Sequence, residues 1–149
     1  VTKKITRAVG NYFHGKKNIL KLGNLNSKRD WGHSKEYVET MWKILQKKKP
    51  EDYVISTGRS YSVRNFVEEA YKNIGIKIKW VGKGQNEKGI NPKNNETLIE
   101  VSRKYFRFNE VDYLRGDSKK AKNELKWRPK TSFKKLVEEM VKYDINSKN

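Results

Sequence analysis

Apolar side chains recur at helical spacing in four stretches of this chain. The four sets are Ile5, Val9 and Tyr12; Tyr37, Val38, Met41, Trp42 and Leu45; Val63, Phe66, Val67, Ala70 and Ile74; and Phe133, Leu136, Val137, Met140 and Val141. Each set repeats every three or four residues and predicts a helix that buries one face. We expect the second helix over residues 34–48 and a further, shorter helix over residues 117–125. Ser62 is a good N-cap for the third helix, and Thr131 or Ser132 for the last.

Short apolar runs between the predicted helices indicate strands. These runs are residues 19–22, 53–56, 76–81 and 98–101. Within 76–81 the apolar side chains alternate with lysines, which is typical of a strand with one exposed face. The run at 53–56 predicts a buried strand that ends at Gly58. Residues 82–96 are rich in Gly, Asn and Lys and predict a long loop. Alternating helices and short strands favour an α/β fold, and no internal repeat is present.

Length and composition restrict the class of protein. A chain of 149 residues fits one domain or a part of a larger protein. No Met and no capping residue precede the first predicted helix, so we expect a fragment of a longer protein. Cysteine is absent, which excludes disulfides and thiolate metal sites. Because no apolar run approaches about 18 residues and no signal-peptide pattern is seen, we expect no membrane partner and a cytoplasmic location.

The formal net charge of +18 has two interpretations. One is a polyanionic partner, either nucleic acid or a phosphate-bearing ligand. The other is that lysine fills exposed positions for solubility, because the 35 Lys and Arg residues are spread along the whole chain. Nucleic-acid binders more often collect their cations in one stripe among aromatic platforms. The distribution therefore favours the second interpretation and makes nucleic acid the less favoured partner.

Two short motifs approach known signatures without completing them. Residues 10–17, GNYFHGKK, lack the Ser or Thr that binds Mg²⁺ in a P-loop. Tyr12 and Lys16 have the spacing of a catalytic Tyr-x-x-x-Lys pair, but no nucleotide-binding glycines precede them. The histidines, His14 and His33, lie far apart without a carboxylate helix motif, so we predict no metal site.

Three segments carry charged residues that the predicted elements do not need. Lys4 opens the first helix, and Arg29 precedes the second. Arg107 and Glu110 follow the last predicted strand. Cations that converge from separate segments suit a diphosphate, and a carboxylate suits a ribose diol.

A structural interpretation of the same residues is open as well. Arg29 could pair with Asp30 or Asp112, and Glu110 could be a solvated surface charge. Residue types and spacing alone do not decide between the two interpretations.

Six sequence blocks resemble those of one enzyme family, in the order of that family. The blocks are VTKKITRAV, LGNLNSKRDWGHSKEYVETMW, PEDYVISTG, YSVRNFVEEA, YFRFNEVDYLRGDSKKAKNELKW and LVEEMV. They are similar to the C-terminal part of the GDP-mannose 4,6-dehydratases, which are extended short-chain dehydrogenases/reductases of the NAD(P)-binding Rossmann-type superfamily. The resemblance covers residues 1–145, and RDWGH, SVR and YFR-x-x-EVD-x-L-x-GD are its most specific parts.

The resemblance implies an α/β sugar-nucleotide-binding portion, residues 1–149, without the glycine-rich NADP-binding half of the enzyme. The full-length protein would be a lyase that converts GDP-mannose to GDP-4-keto-6-deoxymannose and water, on the path to GDP-fucose and other deoxyhexoses. NADP would take a hydride from C4 and return it to C6. The family's catalytic Thr, Glu, Tyr and Lys lie upstream, so we expect no catalytic residue in this chain. We also expect no NADP bound to this fragment and no activity from it alone.

The resemblance also assigns substrate-binding residues. They are Lys4, Leu22, Asn24, Arg29, Arg107 and Glu110. Arg107 would contact the diphosphate and Glu110 the ribose, whereas Leu22 and Asn24 would border the guanine. Lys4 and Arg29 would face the substrate side. This chain departs from the family at Lys3, where Arg is usual, and at Phe108, where Pro is usual.

The resemblance implies partners besides GDP-mannose. In full-length enzymes the helix after RDWGH and the run at 53–56 pack against the nucleotide-binding sheet. We therefore expect an exposed apolar patch on Tyr37, Met41, Trp42 and Val54, covered by the missing N-terminal half or by a second copy of the chain. The competing hypotheses are a GDP-6-deoxymannose reductase fragment, a basic nucleic-acid-binding module, and a scaffold fragment that binds no small molecule.

Overall fold

The computed structural model describes residues 1–147, and within that range the chain forms five α-helices and six short strands. In chain order they are α1 (Thr2–Phe13), β1 (Leu20–Leu22), β2 (Lys28–Arg29), α2 (Ser34–Leu45), β3 (Tyr61–Ser62), α3 (Val63–Lys72), β4 (Lys79–Val81), β5 (Lys88–Asn91), β6 (Glu96–Val101), α4 (Lys119–Glu124) and α5 (Phe133–Asn146). A 3₁₀ turn, Gly84–Asn86, precedes β5. The predicted α/β class is confirmed.

Two separate strand pairings bring the start of the chain beside later segments. The larger sheet has the order β1-β6-β5-β4, and β1 runs parallel to β6 with Leu22 opposite Val101. The pairs β6–β5 and β5–β4 are antiparallel. The strands β2 and β3 form their own antiparallel ribbon, with Arg29 opposite Tyr61.

Helices α1, α3 and α5 pack on one another and share one apolar core with the larger sheet. The side chains with no exposed surface include Ile5, Val9, Phe66, Val67, Ile99, Val137 and Val141. Burying each such side chain stabilises the fold by roughly 1.5–3 kcal/mol relative to leaving it exposed. The predicted N-caps are confirmed: the hydroxyl of Ser62 accepts from the Asn65 N–H, and that of Ser132 accepts from the Lys135 N–H.

A second, smaller cluster joins α2 to α4. Its buried members are Ala121, Leu125 and Trp127, and Tyr37 packs against it edge-on. The Trp127 indole N–H donates to the Ser56 carbonyl at 2.9 Å, which satisfies a buried polar group. This cluster fixes one side of α2 and leaves its opposite side uncovered.

Two of the predicted segments are wrong. Residues 53–56 form no strand, because no other segment within residues 1–147 pairs with them, and a strand requires a hydrogen-bonded partner. Residues 82–96 are not a continuous loop but contain the 3₁₀ turn and β5. Gly89 lies in β5, and a Cβ there would come within about 3 Å of the Ile99 and Ile78 side chains. The glycine that suggested a loop is therefore needed for close strand packing.

Several boundaries also differ from prediction; for example, the last strand begins at Glu96 and not at residue 98. The helix predicted over 34–48 ends at Leu45, since the lysines that follow have no apolar side to bury. The strand predicted over 76–81 is regular only from Lys79, although Ile76 and Ile78 are buried as expected. Helix α4 begins at Lys119, and the Asp117 carboxylate accepts its backbone N–H at 2.9 Å.

The predicted apolar patch lies on α2. We define the α2 face as Val38, Met41, Trp42 and Leu45, whose side chains are 57–80% exposed. Val54, which was predicted to belong to the same patch, is also exposed. Tyr37 is half-buried against Trp127, so its inclusion in the predicted patch was wrong. The expectation that α2 buries this stripe is wrong within the chain, where Thr40 is the buried residue of the helix. No helix within residues 1–147 is long and apolar enough to span a membrane.

Candidate ligand-binding site

All six predicted substrate-binding residues line a single cavity of about 390 Å³. They are Lys4, Leu22, Asn24, Arg29, Arg107 and Glu110. The start of α1, the end of β1, the strand β2 and the loop after β6 each supply part of the wall. We call this space the GDP cavity, after the ligand that the family resemblance implies for it.

The parallel β1–β6 pairing places the loop after β6 across the end of β1. The Ser102 N–H donates to the Leu22 carbonyl at 2.8 Å and extends the pairing by one residue. At Gly23 the two segments come so close that a Cβ would lie 2.1 Å from the Tyr105 carbonyl oxygen. Only glycine fits there, which explains the Gly-Asn corner after β1.

The side chain of Asn24 fixes the position of Arg107. Its Nδ2 donates to the Arg107 carbonyl at 2.9 Å, and its Oδ1 accepts the Arg107 N–H at 3.0 Å. The guanidinium of Arg107 is exposed and forms no hydrogen bond or ion pair with any residue of the described part of the chain. Its charge and its donors are therefore available to a ligand.

Arg29 pairs with Glu110, not with either of the aspartates considered from the sequence. The distance from Arg29 Nη2 to Glu110 Oε1 is 2.5 Å, and both side chains are less than a quarter exposed. Asp30 is used elsewhere, since its carboxylate accepts the backbone N–H groups of Thr57 and Gly58. The second expectation of the structural interpretation, that Glu110 is a solvated charge, is wrong as well.

The guanidinium of Arg29 keeps donors for a ligand despite this ion pair. Its Nη1 donates to the Lys28 and Val111 carbonyls at 2.8 and 2.7 Å. A guanidinium carries five N–H groups, so about two remain after these bonds and the bond to Glu110. The ion pair orients Arg29 without using all of its hydrogen-bonding capacity.

Lys4 is held at the cavity by Tyr105, a residue that the sequence did not single out. The Lys4 Nζ lies 3.9 Å from the centre of the Tyr105 ring and donates to the Lys21 carbonyl at 2.6 Å. Such a cation–π contact is worth about 0.5–1 kcal/mol at exposed sites. An aromatic residue two positions before Arg107 in the YFRF string was the available signal.

Ser27 is a second cavity residue that sequence analysis missed. It is 4% exposed, and its hydroxyl oxygen has no hydrogen-bond partner within residues 1–147. It stands between two predicted site residues in the LGNLNSKR string, and that position was the only hint.

The charge around the GDP cavity is mostly positive. Among residues 1–147, four basic side chains, those of Lys4, Lys21, Arg29 and Arg107, line it together with one carboxylate, that of Glu110. This balance suits a dianionic diphosphate that reaches cations from several segments. Among residues 1–147 no three His, Cys, Asp or Glu side chains are grouped as a metal site would require.

Comparison with known proteins gives the family. A sequence profile of GDP-mannose 4,6 dehydratase matches residues 1–140. The GDP-mannose 4,6 dehydratases of Drosophila melanogaster and Dictyostelium discoideum are 50% and 52% identical to this chain over 97% of its length, and the human protein is 48% identical. The chain spans 37%, 41% and 39% of these three relatives.

Solved structures support the same fold. The RMD protein from Pseudomonas aeruginosa, complexed with NADPH, has a TM-score of 0.74 at 14% identity and covers 97% of this chain and 42% of its own. The dTDP-glucose 4,6-dehydratase from Bacillus anthracis, in complex with NAD, has a TM-score of 0.68 at 22% identity, over 94% of this chain and 38% of its own. These likenesses identify an extended short-chain dehydrogenase/reductase fold. The sequence profile, which matches residues 1–140, places the chain in the GDP-mannose 4,6-dehydratase family.

Proposed function

We propose that this chain is the sugar-nucleotide-binding portion of a GDP-mannose 4,6-dehydratase and that the GDP cavity binds the GDP part of GDP-mannose. The observation that carries the proposal is the Arg107 guanidinium, which has no partner within residues 1–147. Asn24 holds the main chain of Arg107 at a cavity that Arg29 and Lys4 also line. An exposed cation with fixed main-chain geometry and no carboxylate partner is suited to a ligand phosphate.

Each side chain then has a role consistent with its contacts. Arg107 and Lys4 bind the diphosphate, and Arg29 adds its remaining donors on the same side. Glu110, oriented by Arg29, accepts hydrogen bonds from the ribose hydroxyls. Leu22 provides an apolar edge for the base.

The whole protein in this proposal is a lyase that converts GDP-mannose to GDP-4-keto-6-deoxymannose and water, and whose product serves GDP-fucose synthesis. When bound, NADP supplies hydride transfer to and from the hexose. Within residues 1–147 no glycine-rich turn joins a strand to a helix in the manner that holds a dinucleotide pyrophosphate. We therefore assign this chain the binding of GDP-mannose and no chemical step, and expect it to be inactive alone.

The exposure of the α2 face supports the hypothesis that a partner covers it. Its four apolar side chains lie open in this chain, which spans about two fifths of the length of its curated relatives. We propose that the nucleotide-binding part of the full-length protein covers this face, with Val54 at its edge.

Calorimetric titration of the 149-residue chain with GDP-mannose tests the function. We expect binding, and a loss of about tenfold or more in affinity for Arg107→Ala, because a charge-assisted hydrogen bond is removed. Arg103→Ala is the matched control, since Arg103 is exposed in the same loop but does not line the cavity. Equal losses in both variants, or stronger binding of a single-stranded oligonucleotide than of GDP-mannose, would contradict the proposal.

A further inference from the structure

A second cleft, of about 710 Å³, lies between residues 57–59 and residues 128–132 and is bounded by α4. Its charged lining residues are Arg59, Lys119, Lys122, Arg128 and Lys130, and no carboxylate from the described part of the chain lines it. It shares no lining residue with the GDP cavity. We call it the basic cleft.

Most cations of the basic cleft lack a close ion-pair partner within residues 1–147, although Lys130 interacts electrostatically with Glu39 and Lys122 with Asp117 at longer range. Within residues 1–147, the side chains of Arg59, Lys122 and Lys130 form no hydrogen bond or ion pair. The Arg128 guanidinium donates to the adjacent Trp127 carbonyl at 3.0 Å and to no other group in the described range. Lys119 reaches Asp117 at 3.6 Å in a largely exposed pair, which contributes little. Like charges held around one concave space repel, and an anion placed between them relieves that repulsion.

Two carboxylates outside the lining hold the rims of the cleft in place. Asp30 accepts the Thr57 and Gly58 N–H groups at 3.0 and 2.8 Å and fixes the rim that carries Arg59. Glu36 accepts the Lys130 and Thr131 N–H groups at 3.2 and 2.8 Å and fixes the opposite rim. The two carboxylates also accept from the Thr57 and Thr131 hydroxyls, so they fix the positions of the two rims. A preorganised site of this kind loses less conformational entropy when a ligand binds.

The floor of the cleft is a stack of aromatic rings. The Tyr61 and Phe133 rings are stacked at 3.9 Å with an angle of 9°, and Trp31 lies 6.0 Å from Phe133 at 21°. Trp31 and Tyr61 keep part of their surface exposed. The cleft therefore combines a rigid apolar floor with cations on its walls.

We propose that the basic cleft is a second anion site, which binds a small molecule carrying a diphosphate or longer phosphate chain. Cations from three separate segments surround it, and two of them are arginines whose planar forks match phosphate oxygens. The concave shape between two fixed rims favours a small ligand over an extended polymer, for which cations in a stripe are typical. The aromatic floor would accommodate an attached ring.

Inorganic pyrophosphate is the probe, and backbone amide shifts in heteronuclear NMR spectra of the 149-residue chain give the location. We expect saturable shifts of the Thr57, Gly58 and Thr131 amides, in the parent chain and in Arg107→Ala alike. If these shifts persist in Arg107→Ala, pyrophosphate binds the basic cleft independently of the GDP cavity. Each of the two proposals can therefore be contradicted without the other.

The charge test uses the double variant Arg128→Gln, Lys130→Gln. We expect its affinity for pyrophosphate at these amides to fall about tenfold or more. The control double variant Lys48→Gln, Lys49→Gln removes the same net charge from exposed lysines outside the cleft and should change the affinity less than twofold. Circular dichroism verifies that both variants fold.

Three outcomes would overturn the proposal. The first is that pyrophosphate shifts only amides around the GDP cavity. The second is an equal loss of affinity in the two double variants, which would indicate general electrostatic attraction. The third is displacement of pyrophosphate by a single-stranded oligonucleotide at lower concentration than by a nucleoside diphosphate, which would identify a nucleic-acid surface instead.

Discussion

The carboxamide of Asn24 forms two hydrogen bonds with the main chain of Arg107, one to its carbonyl and one from its N–H, at 2.9 and 3.0 Å. The amide that the family resemblance assigned to the guanine thus holds the main chain of the arginine that we propose binds phosphate. We therefore propose that Asn24 affects ligand binding through Arg107, as a positioning residue.

Replacing Asn24 by Ala should therefore weaken GDP binding only when Arg107 is present. We expect Asn24→Ala to reduce GDP affinity several-fold in the parent chain and to have little further effect in Arg107→Ala, because coupled residues are non-additive. Calorimetry on the four members of this double-mutant cycle measures the coupling. Additive losses would mean that Asn24 contacts the ligand independently.

Glu110 should distinguish ribose from sugars without hydroxyls. We expect the chain to bind GDP about tenfold more tightly than 2′,3′-dideoxy-GDP, since a hydrogen bond to a charged group is lost in the analogue. In Glu110→Gln this preference should largely disappear, while pyrophosphate affinity in the GDP cavity should not fall, because Arg29 keeps its charge. If Glu110→Gln keeps the preference for GDP over the dideoxy analogue, Glu110 does not bind the ribose hydroxyls.

The α2 face should make the isolated chain self-associate. We expect sedimentation velocity to show concentration-dependent association, and Trp42→Lys to shift the chain toward monomer without lowering its free energy of unfolding by more than about 0.5 kcal/mol. Phe13→Lys is the matched control, because Phe13 is 57% exposed but lies outside the α2 face. Equal effects of both substitutions would show that this face is not special.

The ionised carboxylate of Glu96 should stabilise the folded chain, and this stabilisation should be lost in acid. The Tyr12 hydroxyl donates to its carboxylate at 2.9 Å, and this bond, followed by the charge of Lys17, holds the pKa of Glu96 below its ordinary value of 4.5. A lowered folded-state pKa means that the contribution is complete above about pH 4.5 and is lost as the pH falls through the lowered value.

Urea unfolding at pH 7 and pH 3 measures this loss. We expect the parent chain to lose more stability between the two pH values than Glu96→Gln or Tyr12→Phe, since each variant lacks the linked bond. Glu69→Gln should behave like the parent, because the Glu69 carboxylate makes no ion pair with any residue in the described range. A pH dependence shared by all four proteins would exclude the role of Glu96.

The sequence predicted those parts of the fold that have a local signature. Helical periodicity located α1, α3 and α5, and the hydroxyl of Ser62 located a helix start. The prediction failed at β5. Gly89 favours a loop when only its neighbours in sequence are considered, whereas in the folded chain its lack of a side chain allows close packing against Ile99 and Ile78. The prediction also failed at residues 53–56, whose apolar run has no strand to pair with in this chain.

The candidate site followed from the family resemblance more than from the residues. Neither the pairing of Arg29 with Glu110 nor the contact between Lys4 and Tyr105 has a sequence pattern, because each joins segments about 80 or more positions apart. The basic cleft shows the same limit. Its cations are scattered among many other lysines, and only the fold shows which of them face one another.

The parallel contact between β1 and β6 also sets when the ligand site can exist. Asn24 and Arg107 are 83 positions apart, so the cavity closes only after a long stretch of chain has been ordered. A chain still emerging from the ribosome would have no GDP cavity until residue 110 had left the exit tunnel. Nucleotide binding would therefore report on completed long-range folding, and a nucleotide supplied during refolding would trap molecules that have reached the native topology.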